Sequence, residues 1–528
     1  MAEVYDIVVM GSGQNTLGTA AYMAKAGKKV AVLEQHDFIG GGAVTIERGM
    51  PGFKHDLHSV LHYLVQPNPL LANDELGLLS KFGLQYIYPD AVQTTVLSDF
   101  STFELHSDLD KTCESIAKYS QKDAEAYREL AEFGRRVLPM LLAGMYTVPI
   151  PLSATLGLLG NSEDGRRLID MMFRSPLQIV EQLFESDHIK IHIIRAITEH
   201  TLGFPDDMGT GLSVLLLTVL LHVYRYGLAV GGSGALPAAL ARCIEHHGGV
   251  IIKNVTVEKV LTRNGRATGL LTTDGEEYAA KDAVIASIHP KKLSHFVDGV
   301  PETVLGRARR TEQSPYRLFK IDGGLKEPLR KNVPDHVPQD GIIEWILTDN
   351  FRDFIKWFDP LRHGEIDFDR PLIGGGDMQI PGRVPEGNAL LYLTQYVPYN
   401  LANGGPQKWD SIKERVADNI MEKLTYFMPN LTQDNLLFRK ADSPLDMERH
   451  SGNSMVEGDP CGLGFQLFQF GGNRPTPELS NYAVPNVERL YLSGPFMHPG
   501  AGVFGVGRPV AIKMCDDLGI DFDKLVAN

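Results

Sequence analysis

"YDIVVMGSGQNTLGTAAYMAKAGKKVAVLE", residues Tyr5–Glu34, decides how this chain begins to fold. Tyr5 to Met10 is a nearly unbroken apolar, β-rich run, the pattern of a strand buried on both faces. GSGQNTLGTAAYMAKAG comes next, with small residues at helical spacing. Lys29 to Glu34, KVAVLE, then reads as a second strand. Strand, helix and strand make one βαβ unit, the opening of a parallel sheet covered by helices.

The turn inside that unit has the chemistry of a phosphate site. Gly11 permits the tight turn, and Gly13 lets the backbone approach a pyrophosphate. A helix starting near Asn15 points its first amides at that anion. Glu34 ends the second strand, where a carboxylate takes the adenosine ribose hydroxyls and repels a 2′-phosphate, so the nucleotide is not of the NADP type. Thr16 stands where the third glycine of GxGxxG belongs. That glycine serves helix–strand packing, and Gly18, Ala20 and Ala21 keep the helix face slim.

The choice between NAD and FAD depends on residues beyond this unit. Ile39–Thr45, IGGGAVT, is a second glycine cluster just past Glu34. A plain NAD site has no use for it, whereas FAD runs further and needs permissive backbone near its phosphates. The other end of the chain supplies a partner, LYLSGPFMHPGAGVFGVGRPVAIKM, residues Leu490–Met514. It reads as a short strand, a bare glycine-rich loop and a helix from about Arg508, with Pro509 in the first turn. The positive end of that helix suits the charge of a reduced flavin. The expectation is that both ends of the chain close on one FAD. GGSGAL, after Val230, is a poor second dinucleotide site: position 237 is Pro and no acid lies beyond it at the right distance. Without a nicotinamide site, electrons leave to oxygen, a quinone or another acceptor.

At 528 residues the chain exceeds one small core, so two domains are expected. A formal charge of −14 excludes nonspecific nucleic-acid binding. Cys113, Cys243, Cys461 and Cys515 form no CxxC pair and read as thiols of a reducing cytosol. The N-terminus lacks the cationic start and cleavage site of a signal peptide. Leu212–Tyr224 is apolar but too short to span a bilayer and reads as a buried helix. Val137–Gly160 is a second apolar stretch, in which Pro139, Pro149 and Pro151 are expected to break any single long helix. Burial in a core is the default expectation for it; the alternatives are an apolar tunnel wall or contact with a membrane surface. The mean hydropathy of −0.11 leans towards a soluble, cytoplasmic protein.

Five stretches together carry a resemblance: DIVVMGSGQNTLGTAAYMAKAGKKVAVLE, IGGGAVTIERGMPGFKHDLHS, AVGGSGALPAAL, GDPCGLGFQLFQFGGNRPTPEL and LYLSGPFMHPGAGVFGVG. They are scattered end to end. The chain resembles the phytoene desaturase-like branch of FAD-dependent oxidoreductases, which includes carotenoid desaturases, carotene ketolase-like proteins and pyridine nucleotide-disulfide oxidoreductase domain 2 proteins. The resemblance implies an α/β fold of the amine oxidase/phytoene desaturase type. A discontinuous Rossmann-type FAD domain would take residues 1–95, 225–300 and 480–528. An α+β substrate domain would take 96–224 and 301–479. It also implies that Gly11, Gly13, Gln14, Asn15, Glu34, Gly41, Gly42 and Ala43 hold the ADP half. Val257 would meet the adenine, and Gly494, Gly502 and Val503 would lie beside the isoalloxazine. Thr16, Gly42 (commonly alanine) and Phe504-Gly505-Val506 depart from the family pattern and leave the substrate open.

By the same resemblance, the reaction is removal of hydrogen from a C–C bond of an apolar isoprenoid, carotenoid or alicyclic substrate. The flavin takes the hydride at N5, and the protein supplies orientation and a dry cavity. HDLHSVLH gives His55, His58 and His62, which a helix would place on one face. No metal is expected there. His58 is the candidate acceptor of the departing proton, since histidine titrates near neutrality. His498 could contact the flavin or line the cavity. Arg474 reads as a loop anchor. The competing functions are a flavin amine or alcohol/ketone oxidase on the same fold and a non-catalytic flavin-binding interaction protein. Peripheral membrane contact and a homo-oligomer are left open.

Overall fold

The phosphate turn sits at the carboxyl edge of a seven-stranded sheet. The computed structural model describes residues 4–527 apart from 336, 338–341, 379–381, 501 and 504; Phe504 therefore lies outside the described residues. Strand β1 (Val4–Met10), helix α1 (Gln14–Lys25) and strand β2 (Val30–Glu34) form the expected βαβ unit. Val250–Lys253 lies outside β2, and Glu277–Ala286 lies on the other side of β1, all parallel. Arg266–Thr272 and Val257–Arg263 continue the sheet antiparallel. The C-terminal strand Leu490–Leu492 pairs with Val284–Ala286 in parallel. Met10 stands opposite both Leu33 and Ala286, so the strand ends align beneath one crevice, where ligands of open α/β sheets bind.

The helix Gly507–Leu518 packs directly on α1. A Cβ on Gly507 would stand 2.5 Å from the Asn15 carbonyl oxygen, so only a glycine lets these backbones meet. Chain end and chain start are thus one structure, as their sequences suggested.

A second seven-stranded sheet packs against residues 48–57 of the first half. Its order is Leu436–Asp442, Arg317–Leu325, Ala389–Val397, Ile373–Met378, Ile342–Trp345, Ala91–Val96, Thr102–His106. Alternation assigns its faces. Leu391, Leu393 and Val397 pack with Phe319, Ile321 and the helix Trp409–Leu424 in one core. Lys320, Asp322, Tyr392 and Tyr396 occupy the alternate positions and face the other way. Helices between residues 109 and 224 complete this half. Gln121–Met145 and Leu212–Tyr224 lie close enough that a Cβ on Gly134 would meet Val219 Cβ at 2.7 Å.

Three expectations change. Ala91–Val96 belongs to the second sheet, so we place the boundary expected at 95 before residue 91. Pro139 does not break its helix, which runs from Gln121 to Met145; the residue is exposed, and water can take the freed carbonyl. HDLHSVLH forms no helix. Lys54–Asp56 and Leu61–His62 are short strands in two different small sheets, so the three histidines do not share a face.

Candidate active site

The ADP end is built from three glycine turns. Gly11 has φ 87° and leads into Gly13, which caps α1. A Cβ on Gly13 would meet only Thr16 Oγ1 within 4 Å, leaving a bare cradle of the size a phosphate needs. Thr16 Oγ1 donates to the carbonyls of Gly11 (2.6 Å) and Gly13 (2.9 Å). The residue that departs from the glycine pattern therefore braces the loop. Gly41 has φ 58°, and a Cβ there would lie 3.0 Å from Gly13 Cα; Gly13 and Gly40 also form a β-bridge. Gly42 is looser, since its Cβ would touch only the end of Met455. Ala43 is buried and its amide donates to Gly40.

Glu34 is fixed before any ligand arrives. Its Oε2 accepts from the Ser12 amide (2.9 Å) and hydroxyl (2.6 Å), and its Oε1 from the His36 amide (2.9 Å). The carboxylate thus borders a cleft lined by Gly11, Gly13, Gly41, Val257 and His450, with about 690 Å³ of empty space, part of it open to solvent. The bare cradle, the pinned acid and the cleft fit the ADP half of FAD.

Gln14 and Asn15 reach the opposite chain end. Gln14 Nε2 donates to the Gly502 carbonyl (3.0 Å), and Asn15 Oδ1 accepts from the Val506 amide (3.1 Å). A Cβ on Gly502 would meet nothing within 4 Å, and Val503 beside it is buried. Gly494 is different: a Cβ there would strike the Phe496 ring, so that glycine serves packing. Arg474 is an anchor. Fully buried, it donates to the carbonyls of Cys461, Leu463, Gly464 and Pro495, and burial lowers its pKa to about 10.

The candidate histidines are neutral. Burial, then the nearby His450 and Lys320, push His58 down to about 3. Its Nε2 lies 3.4 Å from His450 Nδ1, and its own Nδ1 has no hydrogen-bond partner among the described residues. Burial takes His498 to about 4; its Nε2 donates to the Gly144 carbonyl (2.9 Å), and its Nδ1 is likewise unpartnered among the described residues. Neither titrates near neutrality, contrary to the expectation for His58. His55 instead meets Asp322 (3.3 Å), and His62 meets Tyr86 (2.9 Å) and Ser233 (2.6 Å).

Sequence reasoning missed the polar face of the second sheet. Lys320 Nζ donates to the carbonyls of Asp56 and Leu57 and pairs with Asp322. Arg48 joins Asp322 (2.8 Å) to Asp442. Burial alone would raise Asp322, but Lys320, His55 and Arg48 together hold it below the ordinary carboxylate range. Further along, Arg195 is shared by Glu199 (2.8 Å) and Glu344 (2.5 Å) and lies over the Tyr396 ring. Burial pushes Glu344 up to about 8 despite Arg195. Burial pushes His200 down to about 3 and raises Tyr392. The available signal was a charged residue at alternate positions of an apolar strand, as in Lys320 and Asp322.

Residues 17–319 match the family described as flavin containing amine oxidoreductase. The chain belongs to that family. It is an FAD-dependent oxidoreductase, and the expected phytoene desaturase-like resemblance holds. A limonene dehydrogenase subunit of Castellaniella defragrans is 26% identical, over 98% of this chain and 95% of that protein. Pyridine nucleotide-disulfide oxidoreductase domain-containing protein 2 of Rattus norvegicus is 28% identical over 97% and 94%. A lycopene-forming phytoene desaturase of Pseudescherichia vulneris is 24% identical over 97% and 99%. Among solved structures, an oxidoreductase from Methanosarcina mazei superposes with a TM-score of 0.62 at 16% identity, over 97% of this chain and 99% of that one, which supports the amine oxidase-like fold.

Proposed function

We propose that this protein dehydrogenates a C–C bond of a neutral apolar substrate, of isoprenoid, carotenoid or alicyclic type, and passes the electrons to oxygen or a quinone. FAD, when bound, supplies the hydride acceptor. Gly11, Gly13, Glu34, Gly41, Gly42, Ala43 and Val257 would hold its ADP half, with Gln14 and Asn15 bracing the loop of Gly502 and Val503 near the ring.

The observation that carries the reading is the neutrality of the interior. Two carboxylates, Glu199 and Glu344, share the buried Arg195, and burial disfavours the charged form of Glu344. Charge there is paired within the cluster itself, and a neutral molecule pays no desolvation penalty beside it. The names of the limonene and phytoene relatives point the same way.

His58 suits a particular proton step. With Nε2–H directed to His450, its Nδ1 carries a free lone pair. Loss of hydride leaves the substrate electron-poor, and its neighbouring C–H becomes acidic enough for a weak, neutral base. His498 stands in the same state, and we assign it to the cavity wall. The setting we propose is cytoplasmic; no helix among the described residues is long and apolar enough to cross a membrane.

Anaerobic titration tests the reading. Monoterpene and longer isoprenoid hydrocarbons should bleach the flavin absorbance, and primary amines should not. Bleaching by amines alone would overturn it.

A further inference from the structure

The cleft that borders Glu34 is short of positive charge. Among the described residues, no lysine or arginine lines it, and Glu34 is the one carboxylate that does. The first turn of α1 contributes about half a unit of positive charge, less than that carboxylate removes. The diphosphate of FAD adds further negative charge. Of the side chains along the lining, His36 and His450 are the ones that can become cations.

These two imidazoles come from opposite halves of the molecule. His36 follows Glu34, and His450 lies in the helix Pro444–Ser451. Their rings stack at 5.1 Å and 18°, and Phe38 stacks on both, 4.8 Å from His36 and 5.6 Å from His450. His36 Nε2 lies 3.1 Å from the His450 carbonyl, which can only accept, so that nitrogen carries its hydrogen. The Gln35 amide, 3.2 Å from the same nitrogen, accepts there once its oxygen is turned inward. His36 Nδ1 is then the nitrogen left to take a proton. His450 stays neutral: burial, then His36, hold it below the ordinary imidazole range, and its Nδ1 faces His58 Nε2 at 3.4 Å.

We propose that His36 is the counter-ion of the nucleotide site, taking a proton from solvent as the FAD diphosphate enters the cleft, so that holding the cofactor is linked to pH. The proton passes from bulk water to Nδ1, and no other bond changes. Neighbouring charges are committed elsewhere. Asp37 and Lys253 line a separate cleft. Arg48 pairs with Asp322 and Asp442, Arg449 with Asp410 and Asp446 with Lys413, while Glu448 accepts from Tyr399. Lys292 Nζ lies 3.6 Å from the position of a Cβ on Gly452 and is not among the lining side chains. The aromatic faces beside His36 favour its charged form.

A site that binds better with its imidazole protonated loses affinity as pH rises through the ordinary imidazole range, by up to roughly tenfold per pH unit for one proton. FAD itself has no group that titrates near neutrality, and the buried histidines, lowered to about 3–4, are silent there. Glu344, raised to about 8, acts on every variant alike. The proposal rests on the ADP half lying in this cleft and is independent of the substrate. Gly41→Ala tests that placement separately. Flavin kept by that variant would remove the placement; flavin lost by it, with wild-type binding insensitive to pH, would remove only the proton.

Serial dilution of the holoprotein at about pH 6, 7 and 8, read by the fluorescence of released FAD, tests the inference without any substrate. The wild-type Kd should rise roughly three- to tenfold per pH unit. His36→Gln keeps a donor for the His450 carbonyl and loses the charge; it should bind roughly tenfold more weakly at the lowest pH and show no slope. His36→Arg carries its charge at every pH and should bind without slope, more tightly than wild type at the highest. His450→Gln should keep the wild-type slope, since that ring stays neutral. A flat wild-type profile, an undiminished slope in His36→Gln, or His36→Arg no tighter than His36→Gln at the highest pH would overturn the inference.

Discussion

Gly507→Ala tests the join between the two chain ends. The new Cβ would stand 2.5 Å from Asn15 O, 2.6 Å from Thr19 N and 2.8 Å from the Gly18 carbonyl carbon. These are backbone atoms inside α1, so no rotamer change relieves them. Unstrained contacts settle near 3.5–4.0 Å, and the helices must part by roughly 1 Å. Overpacking of a core costs about 1–3 kcal/mol, and the upper end applies where rigid backbone must move. Separation also stretches Asn15 Oδ1 from the Val506 amide and Gln14 from the Gly502 carbonyl. Gly507→Ala should therefore lose about 3 kcal/mol and part of its flavin.

Gly18→Ala is the control on the facing helix. Its Cβ would lie 3.5 Å from Gly507 Cα, an ordinary contact. Alanine there should be neutral or gain up to about 1 kcal/mol through helix propensity. Urea unfolding followed by tryptophan fluorescence, with the flavin-to-protein absorbance ratio, reads both variants. A Gly507→Ala protein within about 0.5 kcal/mol of wild type and fully loaded would refute the backbone-to-backbone join.

Gly41→Ala should abolish tight flavin binding, because its φ of 58° and the 3.0 Å approach to Gly13 both exclude a Cβ, whereas Gly42→Ala should retain it; flavin retention on gel filtration separates them. Arg474→Ala should cost at least about 3 kcal/mol by stranding three buried carbonyls and a part-buried one, measured by denaturant midpoint, and Arg474→Lys should not restore what a fork supplied. Burial lowers His58, His62, His192, His200, His289 and His498 to about 3–4, so the folded state excludes protons that the unfolded chain binds below about 6.5. The histidine contribution to stability should therefore be full above pH 6.5 and be lost as pH drops towards 4, by thermal melts across that range. Glu344 has the opposite sign: raised to about 8, it contributes stability below its unfolded value that is lost as pH rises through 8. Glu344→Gln should flatten the slope between pH 5 and 8 by up to about 1.4 kcal/mol per pH unit.

The FAD half was legible because its signals are local. A buried strand, a glycine turn, a slim helix and a terminal acid lie within thirty-odd residues, and backbone geometry demands each of them. The C-terminal loop was legible for the same reason, since a run of glycines before a helix marks backbone that must approach something. The histidines were not. Whether His55, His58 and His62 share a face depends on local conformation, and Pro51, Gly52 and two short strands override the helical spacing. The lowered pKa of His58 comes from burial and from the charges of His450 and Lys320, almost 400 and more than 250 residues away, which no local pattern reports. The Val137–Gly160 stretch was misjudged because apolar composition is ordinarily a mark of burial; here Leu158 and Ile150 remain exposed.

The charges of the second sheet raise a harder question, since the proposed apolar substrate would gain nothing from ions near it. Their partners supply the answer. Arg383 pairs with Asp56 (2.7 Å), Lys320 holds the carbonyls of Asp56 and Leu57, and His55 meets Asp322. Every one of these contacts ties residues 55–57, which belong to the nucleotide-binding half, to the opposite sheet or its neighbouring loop. A buried ion pair contributes little net stability, because desolvation offsets attraction. Breaking one leaves an unpaired charge in a low-dielectric interior and costs far more. The network therefore acts less as adhesive than as a gauge: only one placement of the two halves satisfies all of it. His58 comes directly after the clamped residues, so its Nδ1, unpartnered among the described residues, is positioned by charges on the opposite sheet. A hydrophobic interface of equal area would hold the halves together but would tolerate sliding by a fraction of a side chain, and the reaction of a substrate with a flavin does not tolerate such a displacement.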